Sequence, residues 1–82
     1  MKKSKEQNHL FRASIAVAYR LTIGTNFQYS DLRKHVNHRC NTADQQEAAR
    51  RFSHLVKHGD VPFIIVDFSY PLTYMRVKGG NN

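Results

Sequence analysis

The side chains best suited to chemistry lie between positions 33 and 58. Six cations, Arg33, Lys34, Arg39, Arg50, Arg51 and Lys57, stand there against two carboxylates, Asp44 and Glu47, so the segment carries +4 of the chain's +7. Thr42, Gln45, Gln46 and His54 are interleaved with them. Lys and Arg give phosphate contacts and register, while Arg and Gln match guanine and adenine edges. The same stretch holds possible metal ligands: His35, His38 and Cys40 in an H-x-x-H-x-C run, and His54 and His58 four apart. A single thiolate without a C-x-x-C pair argues against structural zinc.

Catalysis has less to work with. Cys40 has His38 two residues away, but no nucleophile signature surrounds it. The six carboxylates, Glu6, Asp31, Asp44, Glu47, Asp60 and Asp67, are scattered, and the four glycines, Gly24, Gly59, Gly79 and Gly80, form no phosphate-cradling loop. The expectation is a protein that binds, without a metal, cofactor or reaction of its own.

At 82 residues the chain has room for one domain, and 40% hydrophobic content is enough for a small core. Thirteen Lys and Arg against six Asp and Glu point to a polyanionic partner. One cysteine excludes an internal disulfide and fits a reducing compartment, so the cytoplasm is expected. Ala16-Val17-Ala18 looks like a signal-peptidase site, but the stretch before it is too short and carries Arg12. The longest apolar run, 63–66, is far below the roughly 20 residues of a membrane span.

Periodicity supplies the elements that would position the basic segment. Leu10, Ser14, Val17 and Leu21, flanked by Phe11, Ile15 and Ala18, predict a first helix from Asn8 or His9 to Ile23, closed by Gly24. Ser30 as N-cap, Asp31 in the first turn, and Leu32 and Val36 four apart predict a short second helix. Thr42 and Gln45 have capping-box spacing, so a third helix should run to His58 with Gly59 as a left-handed C′ residue. Its core arc is Ala48, Ala49, Phe52, Leu55 and Val56, and the opposite, basic face collects Gln46, Glu47, Arg50, Arg51, His54, Lys57 and His58. β-branched and aromatic runs at 61–68 and 72–77 then predict a hairpin around Ser69-Tyr70-Pro71. Alternation places Val61, Phe63 and Ile65 on one face and Ile64, Val66 and Phe68 on the other. Residues 1–8 and 79–82 are expected to be loose tails around one domain at 9–78.

The expected class is α+β, three helices followed by a β-hairpin. This order resembles a winged helix-turn-helix domain. Phe27-Gln28-Tyr29-Ser30-Asp31-Leu32 is similar to the lead-in and start of that family's second helix. Leu55-Val56-Lys57-His58-Gly59-Asp60-Val61 is similar to the end of its recognition helix running into the wing. The resemblance implies that the third helix enters the major groove, with residues 42–46, Arg50 and Arg51 facing DNA. The wing tip departs from the family pattern, since 69–73 contain no Lys or Arg. The expected function is a sequence-specific transcriptional regulator that binds double-stranded DNA as a homodimer. Its expected contacts are Lys34, Arg39, Thr42, Gln45, Gln46, Arg50, Arg51, His54 and Lys57. Two alternatives accompany it. One is a protein-interaction module that offers its basic face or hairpin to an acidic protein. The other is a single-strand or RNA binder using Phe63, Phe68, Tyr70 and Tyr74.

Overall fold

A computed structural model describes residues 5–36 and 40–79. The elements run α1 (Lys5–Arg20), β1 (Asn26–Gln28), α2 (Tyr29–Arg33), α3 (Thr42–His58), β2 (Phe63–Asp67) and β3 (Thr73–Arg76). The α+β class and the hairpin are as expected. The expected order of three helices and then two strands is corrected: a short strand, β1, stands between α1 and α2 and completes a three-stranded antiparallel sheet, β1-β3-β2. β3 is central. Phe27 pairs with Tyr74 across β1 and β3, and Ile65 pairs with the same Tyr74 from β2. A third strand answers the instability of an isolated two-stranded ribbon.

Several boundaries also differ. α1 begins at Lys5 because its buried stripe reaches back through Gln7, so residues 5–8 are helix and not tail. It ends at Arg20, earlier than the expected Ile23. Gly24 adopts φ 95° in the turn into β1, where its N–H donates to the Arg76 carbonyl at 2.7 Å. Its left-handed backbone therefore serves the sheet. Gln28, and not Ser30, caps α2, and its N–H donates to Asp31 Oδ2 at 2.9 Å. Asn41, and not Thr42, caps α3, with Oδ1 accepting the Asp44 N–H at 2.7 Å. At the other end of α3, Gly59 has φ −97° and is extended. Glycine is needed there for space: a Cβ would lie 2.7 Å from the Leu55 carbonyl oxygen.

The core is a knot of aromatic rings. Phe52, with no exposed surface, lies 5.0 Å from Tyr74, 5.4 Å from Tyr29, 5.8 Å from Phe63 and 6.3 Å from Phe27 between ring centroids. Ala48 is buried beside it, while Ala49, Leu55 and Val56 are half-buried. From α1, Leu10, Ser14 and Ala18 close the underside. Ser14 Oγ donates to the Phe11 carbonyl at 2.9 Å and accepts from the Tyr29 hydroxyl at 2.7 Å. That chain satisfies two polar groups that burial would otherwise penalise.

Strand alternation holds on the sheet. Phe63 is buried and Ile65 half-buried, while Ile64, Val66 and Phe68 are exposed. The β2–β3 register shifts between Ile65 and Asp67, which makes Val66 a bulge. Among the described residues no helix is long and apolar enough to cross a membrane.

Two expectations follow from this packing. Phe52→Ala removes the ring that all four neighbours share and should cost about 3 to 5 kcal/mol, enough to unfold much of the protein in a thermal melt. An unchanged melting temperature would place Phe52 outside the core. Burial pushes the Tyr74 hydroxyl up to about 12 from 10.0 and also raises Tyr29. The unfolded chain then releases the Tyr74 proton first, so this contribution is intact below pH 10 and is lost as pH rises towards 12. Denaturant melts from neutral pH upwards should show an alkaline loss on the order of 3 kcal/mol, reduced in Tyr74→Phe.

Candidate functional site

Three elements enclose a cleft of about 690 Å³. α2 supplies Tyr29, Ser30 and Arg33. α3 supplies Thr42, Gln45, Gln46, Ala49, Arg50 and Ser53. The hairpin contributes Tyr70, Pro71, Leu72 and Tyr74. The floor is apolar where Tyr29, Leu72 and Tyr74 merge with the core, and the walls carry hydroxyl, amide and guanidinium groups. Tyr70 stands at the rim with 86% of its surface exposed. The turn that carries it is held by Asp67, whose Oδ1 accepts the Ser69 N–H at 2.9 Å. That bond holds the Asp67 carboxyl below its usual range.

Four expected contact residues come together here: Thr42, Gln45, Gln46 and Arg50. They are not equally available. Gln45 Oε1 accepts from Arg33 Nη1 at 3.0 Å and its Nε2 donates to the Cys40 carbonyl at 3.0 Å, so this amide ties α2 to the start of α3. Gln46 is exposed. Arg50 is exposed and pairs with Glu47, an ion pair that water already screens and that an incoming anion can replace.

The other expected contacts lie elsewhere. Lys57 and His54 are exposed further along α3, where the His54 ring lies 4.5 Å from that of His58. Lys34 is exposed at the end of α2, 3.7 Å from Asp31. Arg39 lies outside the described residues. Arg51 is turned the other way. Its guanidinium lies 4.0 Å over the Phe11 ring, and its Nη1 donates to Asn8 Oδ1 at 3.1 Å and Gln7 Oε1 at 3.3 Å. Arg51 therefore joins α3 to α1, its guanidinium engaged in that packing.

Sequence reasoning counted Arg33 in the basic segment but missed Ser30 and Ser53 as members of the site: no helical period joins α2 to α3, and nothing in residue type set Ser53 apart. The signal for Tyr70 was present as an aromatic at a hairpin tip that lacks cations.

The metal-type side chains among the described residues do not assemble. His35 is exposed, His38 lies outside the described residues, and Cys40 Sγ donates to the Glu6 carbonyl at 3.3 Å. Among the described residues no three His, Cys, Asp or Glu side chains are grouped to hold an ion. Burial, with the Asp44 and Glu6 carboxylates, pushes the Cys40 thiol up, the opposite of nucleophile activation.

One solved structure, named SCCmec type IV LP1413, a nucleic acids binding protein, is 36% identical to this chain, with a TM-score of 0.86 over 99% of this chain and 98% of that one. This chain belongs to the LP1413 family. No protein-family model and no curated protein matches it. Near-complete coverage of both chains places the α3 face and hairpin tip of this LP1413 relative within the shared fold.

The two neighbouring arginines of α3 should separate in a stability test. Arg51→Ala loses a cation–π contact and hydrogen bonds, together about 1 to 2 kcal/mol, and should lower the melting temperature by roughly 5 to 10 °C. Arg50→Ala should stay within about 0.5 kcal/mol of the parent. Equal losses in thermal melts would reject the assignment of Arg51 to the α1 contact.

Proposed function

We propose that this chain is a nucleic-acid-binding domain of winged-helix type, and that its cleft takes a single strand. The carrying observation is Tyr70, exposed at the rim of a concave site whose opposite wall holds Gln46 and Arg50. A helix that reads duplex DNA must project into a major groove about 12 Å wide. Here the hairpin tip lines the same hollow as the first half of α3, which favours a strand that can enter it with a base unstacked. An exposed tyrosine offers a stacking face to any base, worth about 1 to 3 kcal/mol per base. Arg50 meets phosphate by exchanging Glu47 for it, and Ser30, Thr42 and Ser53 offer hydroxyls to phosphate or base edges. The name of LP1413 supports nucleic acid as the partner class.

A second reading rests on a different observation: Gln46, Arg50, His54 and Lys57 are all exposed on α3. This is the sequence-specific, duplex-binding regulator, which would work as a dimer on a repeated site. Both readings need binding only.

Anisotropy titrations with one sequence, as a single strand and as a duplex, separate the readings. The expected result is tighter single-strand binding, with a slope of log K against log salt near −2 to −3 for about three or four phosphates. Tyr70→Ala should weaken it by about 5- to 150-fold without lowering stability. Preference for duplex, insensitive to Tyr70 and sensitive to Gln46 and Arg50, would replace this reading with the α3 one. No binding to either at low salt would leave an acidic protein as the better partner.

A further inference from the structure

α1 has an outward face that neither the core nor the cleft uses. At about 100° per residue, Lys5, His9, Arg12, Ala16 and Arg20 fall within an arc of about 80°, and all five are exposed. Among the described residues the side chains of Lys5, Arg12 and Arg20 have no hydrogen-bond or ion-pair partner, whereas Arg33, Lys34, Arg50 and Arg51 are each engaged. The three free cations span about 22 Å of helix at 1.5 Å per residue. Glu6, the one carboxylate of α1, falls outside the arc.

The stripe is shaped as well as charged. A depression of about 440 Å³ lies between its first two cations, lined by Lys5, Asn8, His9, Arg12 and Ala13. Arg51 holds Asn8 by its Oδ1, which leaves the amide N–H groups of Asn8 free to donate to an anion seated there. No residue of α1 lines the cleft between α2, α3 and the hairpin.

We propose that the outward face of α1 is a second nucleic-acid surface, holding the phosphate backbone of a strand beyond the segment in the cleft. This rests on the reading of the cleft as a single-strand site. A nucleic acid fits better than a membrane, because a helix lying on lipid inserts its apolar face, and that face of α1 is sealed in the core. Three cations along one line with no opposing carboxylate give backbone contact without sequence choice.

The test compares Lys5→Gln/Arg12→Gln/Arg20→Gln with the parent on thymidine strands of about 6 and about 30 nucleotides, lengths chosen to fill the cleft alone or to pass beyond it. All three positions are exposed, and a thermal melt checks that the variant folds. Expected is a loss of about tenfold or more on the long strand, a salt slope flatter by about 2, and unchanged binding of the short strand. Unchanged affinity and slope on the long strand would overturn the proposal while leaving the cleft intact. Equal losses on both strands would make the stripe part of the cleft site and also overturn it. If the variant instead loses binding to phosphatidylserine vesicles and keeps the long strand, the surface is a lipid one. A parent that binds neither strand would defeat both this surface and the cleft reading, whereas Tyr70→Ala failing on the short strand alone reports on the cleft.

Discussion

One phenylalanine holds the parts of this molecule in register. Phe52 projects from the middle of α3 and meets a ring from β1, from α2, from β2 and from β3, all at centroid distances of 5.0 to 6.3 Å. Edge-to-face and tilted ring pairs have preferred geometries, so this cluster fixes orientation as well as burying area. α1 joins through two links of its own: the Tyr19 ring lies 5.2 Å from Phe63, and Ser14 accepts the Tyr29 hydroxyl. The cleft is what remains above the cluster once its five rings have set the angles between α2, α3 and the hairpin. Its floor is made of two of those rings, Tyr29 and Tyr74.

Charge is divided between holding the fold and facing outward. Arg51 ties α3 to α1, and Arg33 ties α2 to α3 through Gln45. Arg76 sits over Tyr19 and Phe63 and donates to the carbonyls of Val77 and Tyr19, bringing a cation to the C-terminal end of α1 where the helix dipole favours one. These guanidiniums do little for a polyanion. The net charge of +7 therefore overstates the binding surface of any single face, and the cations that remain outward are grouped by the helices that carry them. Among the described residues one such group stands on α3 and one along α1.

The hairpin explains how a family pattern and a different site can share one architecture. A wing tip with Lys or Arg would reach for backbone phosphate. This tip presents an aromatic ring beside α3, held by the Asp67 turn. In the proposed single-strand mode this ring offers a stacking face where a basic tip would offer charge. The opposite face of the ribbon, with Ile64, Val66 and Phe68 exposed, stands apart from this chemistry.

Much of the fold was legible because its signals are local. The α3 period, with Phe52 central and Gly59 at its end, and the alternation of 63–66 depend only on residues close in sequence, and the structure keeps both. β1 was not legible: three residues carry no period, and Asn26–Gln28 becomes a strand only because β3 returns beside it from far along the chain. The helix ends were displaced for a related reason, since Gln7 extends α1 by finding a buried place that composition does not advertise. The site shows the same division. Charge, residue type and the cation-free tip were set by the sequence. Arg50 and Arg51 are neighbours of one chemistry, and which of them faces outward was decided by where α1 packs against α3. That Gln46 and Tyr70 line one hollow was likewise decided by tertiary structure, because only the shared ring cluster brings a helix and a hairpin tip together.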